Sequence, residues 1–167
     1  IIGTATGTGA PQAISITPQL PGTNVIVTVT KQNYYRYSQV VPVIPPSGPY
    51  VIQNSYQIND PTGNNDGLLD YGESVTLTLT VENVGISPAS NVMVYVNTSD
   101  PYVTMTDTSQ SYGTISASGT AQVTSGYAFS VADSVPDMHG IAFSVTATDG
   151  TNTWPSSFSI TAHSPEL

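Results

Sequence analysis

The feature that most constrains this chain is a strict two-residue alternation of apolar and polar side chains, plainest in the run SVTLTLTVEN at residues 74–83. Successive side chains of an extended strand point to opposite faces, so this period puts Val75, Leu77, Leu79 and Val81 on one face and the threonines on the other. A helix would scatter the same residues around its circumference. The period returns at Val92, Val94 and Val96, at Val123, Tyr127, Phe129 and Val131 with a bulge expected near Gly126, and at Ile141, Phe143, Val145 and Ala147. Phe158 and Ile160 close the series. With YVIQNSYQI leading in and a short strand at Tyr102 to Met105, these make about seven strands parted by turn signals, the pattern of an immunoglobulin-like β-sandwich. The sequence therefore predicts an all-β chain with one complete sandwich over 50–163 and a short tail over 164–167.

Proline and glycine crowd into PPSGPY at 45–50, a composition that favours stiff extended chain, and residues 45–49 are read as a linker. Upstream, residues 1–44 read as about four strands, IIGTA, QAISITP, NVIVTVTKQ and YSQVVPV, an incomplete (half) immunoglobulin-like domain. Such a segment would present one apolar face, formed by Ile14, Ile16, Val25, Val27, Val29, Val41 and Val43, with nothing of its own to cover it. A piece this short buries too little surface to be stable alone, so it should take partner strands from a neighbouring domain or from another copy of the chain.

Charge narrows the function. The 167 residues hold 2 basic and 11 acidic side chains, for a net charge of -9. Such a surface repels phosphate backbones and lacks the basic stripe that anionic membranes attract, which argues against nucleic-acid and membrane-surface partners. No apolar stretch approaches the length of a membrane span, and without cysteine there is neither disulfide nor thiol chemistry. A chain that begins at Ile1 without Met reads as a processed or excised piece of a secreted protein.

Two stretches carry a family likeness. GTATGTGAPQAISITPQLPGTNVIVTVTKQNYYRYSQVVPVIP resembles the second half of the immunoglobulin-like domain that follows the catalytic domain in gingipain-type cysteine peptidases and related bacterial surface proteins. DGLLDYGESVTLTLTVENVGISPASNVMVYVNTSDPYVTMTDTSQSYGTISA, continuing to FSVTATDGTNTWPSSFSIT, resembles sandwich modules appended after it in multidomain secreted bacterial proteins. The resemblance implies an extracellular or cell-surface location and an accessory role. It implies no peptidase activity, because no Cys is present to act as nucleophile.

The strongest local signal is NDPTGNNDGLLDYGE, which places Asp60, Asn64, Asp66, Asp70 and Glu73 together, interleaved with Gly63, Gly67 and Gly72. Hard oxygen donors on a flexible turn suit Ca²⁺, which takes six to eight oxygens at about 2.3–2.6 Å. The run resembles calcium loops of the D-G-x-x-D-x-G-E type in secreted repeat modules. The competing interpretation is that Asn, Asp and Gly merely form turns; closely spaced like charges favour a cation between them. Asp137 and Asp149 are candidates for a remote ligand, though turn roles suit both.

Other constellations are weaker. The opening IIG matches the activated N-terminus of trypsin-like proteases, but the GDSGG nucleophile context is absent and His139 and His163 read as surface residues, at a strand start and in the tail. The acids outside the loop, Glu82, Asp100, Asp107, Asp133 and Glu166, fall singly and supply no pair for glycoside hydrolysis. Trp154, at the head of the last strand, reads as core, although it and the tyrosines could stack on sugars. Lys31, Tyr34, Tyr35, Arg36 and Tyr37 form the most aromatic stretch and the only basic one, a composition typical of protein interfaces; cross-strand aromatic pairing would explain it equally. Asn97 heads the only N-glycosylation sequon.

The expectation is a non-catalytic extracellular structural or interaction module serving other domains of a parent protein. The alternatives are a self-assembling filament subunit joined by strand complementation and a carbohydrate-binding module.

Overall fold

The structure, a computed structural model, describes residues 1–14, 16–17, 19–44 and 47–165. The described residues are all strand, turn and coil, and none of their segments is a helix long and apolar enough to cross a membrane. The chain divides into two compact units, Ile1–Ile44 and Pro45–Leu167. Pro45 and Pro46 of the expected linker lie outside the described residues.

The first unit holds one antiparallel ribbon, β1 (Asn24–Val29) and β2 (Tyr37–Pro42), with Val25 opposite Val41, Val27 opposite Gln39 and Val29 opposite Tyr37. Bonds from Gly22 to the Val43 carbonyl and from Val43 to that of Thr23 extend its open end. The ribbon corrects the expectation of about four strands. IIGTA is coil, and QAISITP is not a strand where it is described, Ser15 and Pro18 lying outside the described residues. Glycines at 3, 7 and 9 and the proline at 11 interrupt the chain around IIGTA.

The second unit is an immunoglobulin-like sandwich. One sheet has the order β3 (Val51–Asn59), β5 (Ser74–Asn83), β9 (Thr120–Val131), β7 (Val103–Asp107). The other runs β4 (Leu69–Asp70), β11 (Thr153–His163), β10 (His139–Thr148), β6 (Ala89–Asn97), β8 (Ser109–Ile115). This is the A-B-E-D and G-F-C arrangement of the fold, with β8 added beside β6 and β4 lying parallel to β11. Two strands thus exceed the expected count. β4 is only two residues long, and β8 reads SQSYGTI, whose polar face hides that Tyr112 and Ile115 are buried.

Chain crossings between the sheets fix the rims. β7 and β8 are two halves of one bent strand that changes sheet at Thr108, whose carbonyl accepts the Val96 N–H at 2.9 Å. β3 and β4 are likewise joined by residues 60–68, which carry the chain from the first sheet to the second. The bulge expected near Gly126 is present: the β5–β9 register slips between Leu77 and Leu79, Ser125 takes φ 49°, and its N–H donates to the Thr78 hydroxyl at 2.9 Å.

The core follows the alternation. Val75, Leu77, Leu79 and Val81 face Val92, Val94, Val96, Ile141, Phe143 and Val145 across the sandwich, all fully buried or nearly so. The three phenylalanines of the sequence form one run, Phe129 to Phe143 at 5.2 Å and Phe143 to Phe158 at 5.2 Å, which Tyr56 extends by stacking at 4.8 Å. Two tyrosines are buried with their hydroxyls satisfied: Tyr112 donates to the Leu79 carbonyl at 2.9 Å and Tyr127 to that of Val94 at 3.2 Å. Loss of water around these rings pushes the Tyr112 phenol up to about 12 and that of Tyr127 higher still.

Candidate functional site

The acidic crossover, residues 60–73, folds around its own carboxylates. Asp60 is buried, and its two oxygens accept the backbone N–H groups of Asp66 at 3.1 Å and Gly67 at 3.2 Å. Glu73 accepts from Asn64 at 3.4 Å and from Asp70 at 3.1 Å, clamping the middle of the loop to its end. A Cβ at Gly63 would overlap the Glu73 carboxylate, so a side chain there would push this clamp aside. Gly67 and Gly72 supply left-handed turns at φ 79° and 69°.

The five candidate metal ligands divide into two groups. Asp60 and Glu73 are turned toward backbone amides, as turn-forming residues are, and so is one oxygen each of Asp66 and Asn64, which accept the N–H groups of Leu68 at 2.8 Å and Asp66 at 3.0 Å. Asn64, Asp66 and Asp70 converge: the Asn64 side-chain amide donates to Asp66 Oδ2 at 3.0 Å and to Asp70 Oδ2 at 2.8 Å, so two carboxylate oxygens meet on one donor nitrogen. Among the described residues no three acidic or histidine side chains gather as a metal-ligand group.

Two further loops share this end of the sandwich. Asp133 lies against Gly72, and Asp137 accepts the Ser164 N–H at 3.1 Å and stands 4.0 Å from the His163 ring. His163 is the last residue of β11 rather than part of a tail. His139 Nε2 meets Asp100 Oδ2 at 2.8 Å, with the Tyr102 ring edge-on to the imidazole, and this contact ties the 98–102 loop to the start of β10. Leu68, Tyr71 and Met138 are exposed here. Asp149, the other remote-ligand candidate, belongs to the opposite end of the fold. It caps the turn between β10 and β11, where the Asn152 N–H at 2.6 Å holds its carboxyl below the ordinary range. Glu166 lies outside the described residues.

In the first unit the five interface candidates fall together on the β1–β2 turn. Tyr34 N–H closes the turn on the Lys31 carbonyl at 3.1 Å, Asn33 takes φ 65°, and the Lys31 ammonium sits 4.3 Å above the Tyr34 ring. Tyr35 is fully exposed at the tip, with Arg36 and Tyr37 exposed beside it. Trp154, by contrast, is 4% exposed and part of the core, so it offers no face to a sugar. Asn97 is exposed at the end of β6.

Sequence reasoning missed Asn83. Wholly buried, it accepts the N–H groups of Tyr50 and Gly85, each at 3.0 Å, and donates to the carbonyls of Ser87, Ile115 and Ser116. It joins three chain segments at the end where the chain enters the sandwich. The signal was an Asn where the β5 alternation stops.

No protein-family model matches the chain, and no curated protein matches it. Among solved structures it is similar to a chain of the CsuC–CsuE chaperone–tip adhesion subunit pre-assembly complex from archaic chaperone-usher Csu pili of Acinetobacter baumannii. The TM-score is 0.30 and the identity 10%, over 57% of this chain and 52% of that one, about half its length. A likeness this distant says nothing of what the chain does.

Proposed function

We propose that this chain is a non-catalytic structural and interaction module of an extracellular protein, in which the sandwich is a rigid body and the β1–β2 ribbon is the element that binds a partner. One observation carries the reading: the ribbon is apolar and uncovered. Val27, Val29, Tyr37 and Val41 share one face and Ile26 and Val40 the other, and all are exposed, Ile26 at 68%. Two-stranded ribbons of this size are marginal in water. Covering such a face contributes about 1.5–3 kcal/mol for each large side chain fully buried. Its strand edges also offer unpaired N–H and C=O groups to an added strand. The gingipain-type resemblance, with its accessory role outside the cell, is in keeping with this reading.

The test is to place charge on the ribbon face. Val27→Asp with Val41→Asp should abolish any concentration-dependent association of the full chain measured by light scattering, with the melting of the sandwich unchanged. Association unaffected by both changes would rule the ribbon out as the binding element.

A second reading concerns the crossover. The convergence of Asp66 and Asp70 oxygens on the Asn64 nitrogen supports a Ca²⁺ site reached by rotating that amide, which would present Oδ1 in place of the N–H₂ group and give up the bond that Oδ1 accepts from the Asp66 N–H. Hard oxygens of this kind are what Ca²⁺ takes, and the ion would tie the loop without taking part in chemistry.

A further inference from the structure

The two units differ sharply in charge. Both basic side chains of the sequence, Lys31 and Arg36, stand on the β1–β2 turn, and all 11 acidic residues follow Asn59. The sandwich therefore carries no Lys or Arg against any of its carboxylates. Those carboxylates are also unevenly placed. Asp66, Asp70, Asp100, Asp133 and Asp137 lie on the crossover and on the loops 98–102 and 132–138, which close one end of the sandwich. The chain enters at the other end, where Asn83 pins Tyr50. β3 runs the distance between the two, about 30 Å at roughly 3.4 Å per residue.

Resting on the ribbon as binding element, we infer that its partner is a second copy of this chain, and that the Lys31–Tyr37 turn of one copy docks on the acidic end of the sandwich of the next. Charge complementarity selects this occupant. An acidic surface whose only cationic neighbours among the described residues are His139 beside Asp100 and His163 beside Asp137 raises the local concentration of a basic partner and speeds its approach, and the Lys and Arg of this molecule are both on that turn. The contact has apolar content as well. Tyr34, Tyr35 and Tyr37 meet an end that exposes Leu68, Tyr71 and Met138, the last at 66%, and aromatic, Met and Arg side chains are those enriched at interface centres. The turn and the acidic end are different surfaces, so the contact is heterologous. Repeated, it yields a ring where the rotation closes and an open filament where it does not.

The experiment is a charge swap in the full chain, followed by sedimentation velocity at low ionic strength. One variant carries Lys31→Glu and Arg36→Glu, a second carries Asp133→Lys and Asp137→Lys, and the two are also mixed in equal amounts. Each alone should associate at least tenfold more weakly than the parent, and the mixture should regain association, because each then supplies what the other lacks. Should Asp137→Lys disturb the bond to Ser164, Asp133→Lys alone serves as the second variant, checked by its melting curve. Association of the parent that neither variant weakens overturns the charge-directed contact while leaving the ribbon as binding element. Weakening without recovery on mixing overturns it too. A parent that stays monomeric at all concentrations overturns both readings.

Discussion

Asn83 accepts the Tyr50 N–H at 3.0 Å across 33 positions of sequence, and with the same side chain holds Gly85, Ser87, Ile115 and Ser116. Buried polar groups deprived of partners cost about 1–3 kcal/mol each. Asn83→Ala should therefore destabilise the sandwich by about 2–4 kcal/mol, at the upper end for single changes. Asn83→Asp should be no milder, since an oxygen would then face three carbonyls. Urea denaturation monitored by tryptophan fluorescence measures both, through Trp154.

Gly85 sits under the same junction. A Cβ there would stand 2.5 Å from both the Gly48 carbonyl oxygen and the Tyr50 nitrogen, which are backbone and cannot swing aside. Gly85→Ala should cost about 1–3 kcal/mol by overpacking, whereas Gly150→Ala, where a Cβ meets open space, should lose only what its left-handed φ of 87° demands. Paired melting curves give the comparison.

The buried tyrosine pair sets an alkaline limit. Burial raises Tyr112 from 10.0 to about 12 in the folded state and raises Tyr127 further. Below pH 10 both phenols are neutral folded or unfolded, and the full stability is present. Above it the unfolded chain loses protons that the folded chain retains, so stability falls as pH rises from 10 through 12. Tyr112→Phe with Tyr127→Phe should flatten that fall in the melting midpoint, at the expense near neutral pH of two hydrogen bonds, about 0.5–1.5 kcal/mol each.

The crossover is tested by Ca²⁺ itself. A hundredfold excess over the dissociation constant would stabilise the fold by about 2.7 kcal/mol, a rise of several degrees in Tm for a domain of this size. Asp66→Ala and Asp70→Ala should each remove the rise. Identical melting of parent and variants with and without Ca²⁺ would make the crossover a hydrogen-bonded turn only.

The sandwich was legible because alternation is a local signal of a global arrangement: each valine of β6 declares its face without reference to its neighbours. β8 was not, because its two buried residues, Tyr112 and Ile115, are spaced across a bulged register and sit among Ser, Gln and Gly. In residues 1–22 apolar residues suggested strands, whereas among the described residues of the first unit NVIVTV and YSQVVP are the segments that pair. The crossover's composition was readable, but its geometry was not. Which carboxylate turns to backbone and which to solvent depends on where β3 ends and β4 begins. The charge division between turn and sandwich lay in the sequence throughout. It gained meaning only once the loops were seen to close one end of the fold.

A β1–β2 ribbon completed by another molecule must gain protection as the chain associates. Amide hydrogen exchange on the full chain, at a dilute and at a concentrated protein level, tests it most directly. The β5 and β9 amides should be protected at both concentrations, while those of Val25 to Val29 and Ser38 to Val41 should exchange freely when dilute and become protected as the mass rises. Equal protection of ribbon and core in a dilute, monomeric chain would contradict completion by another molecule.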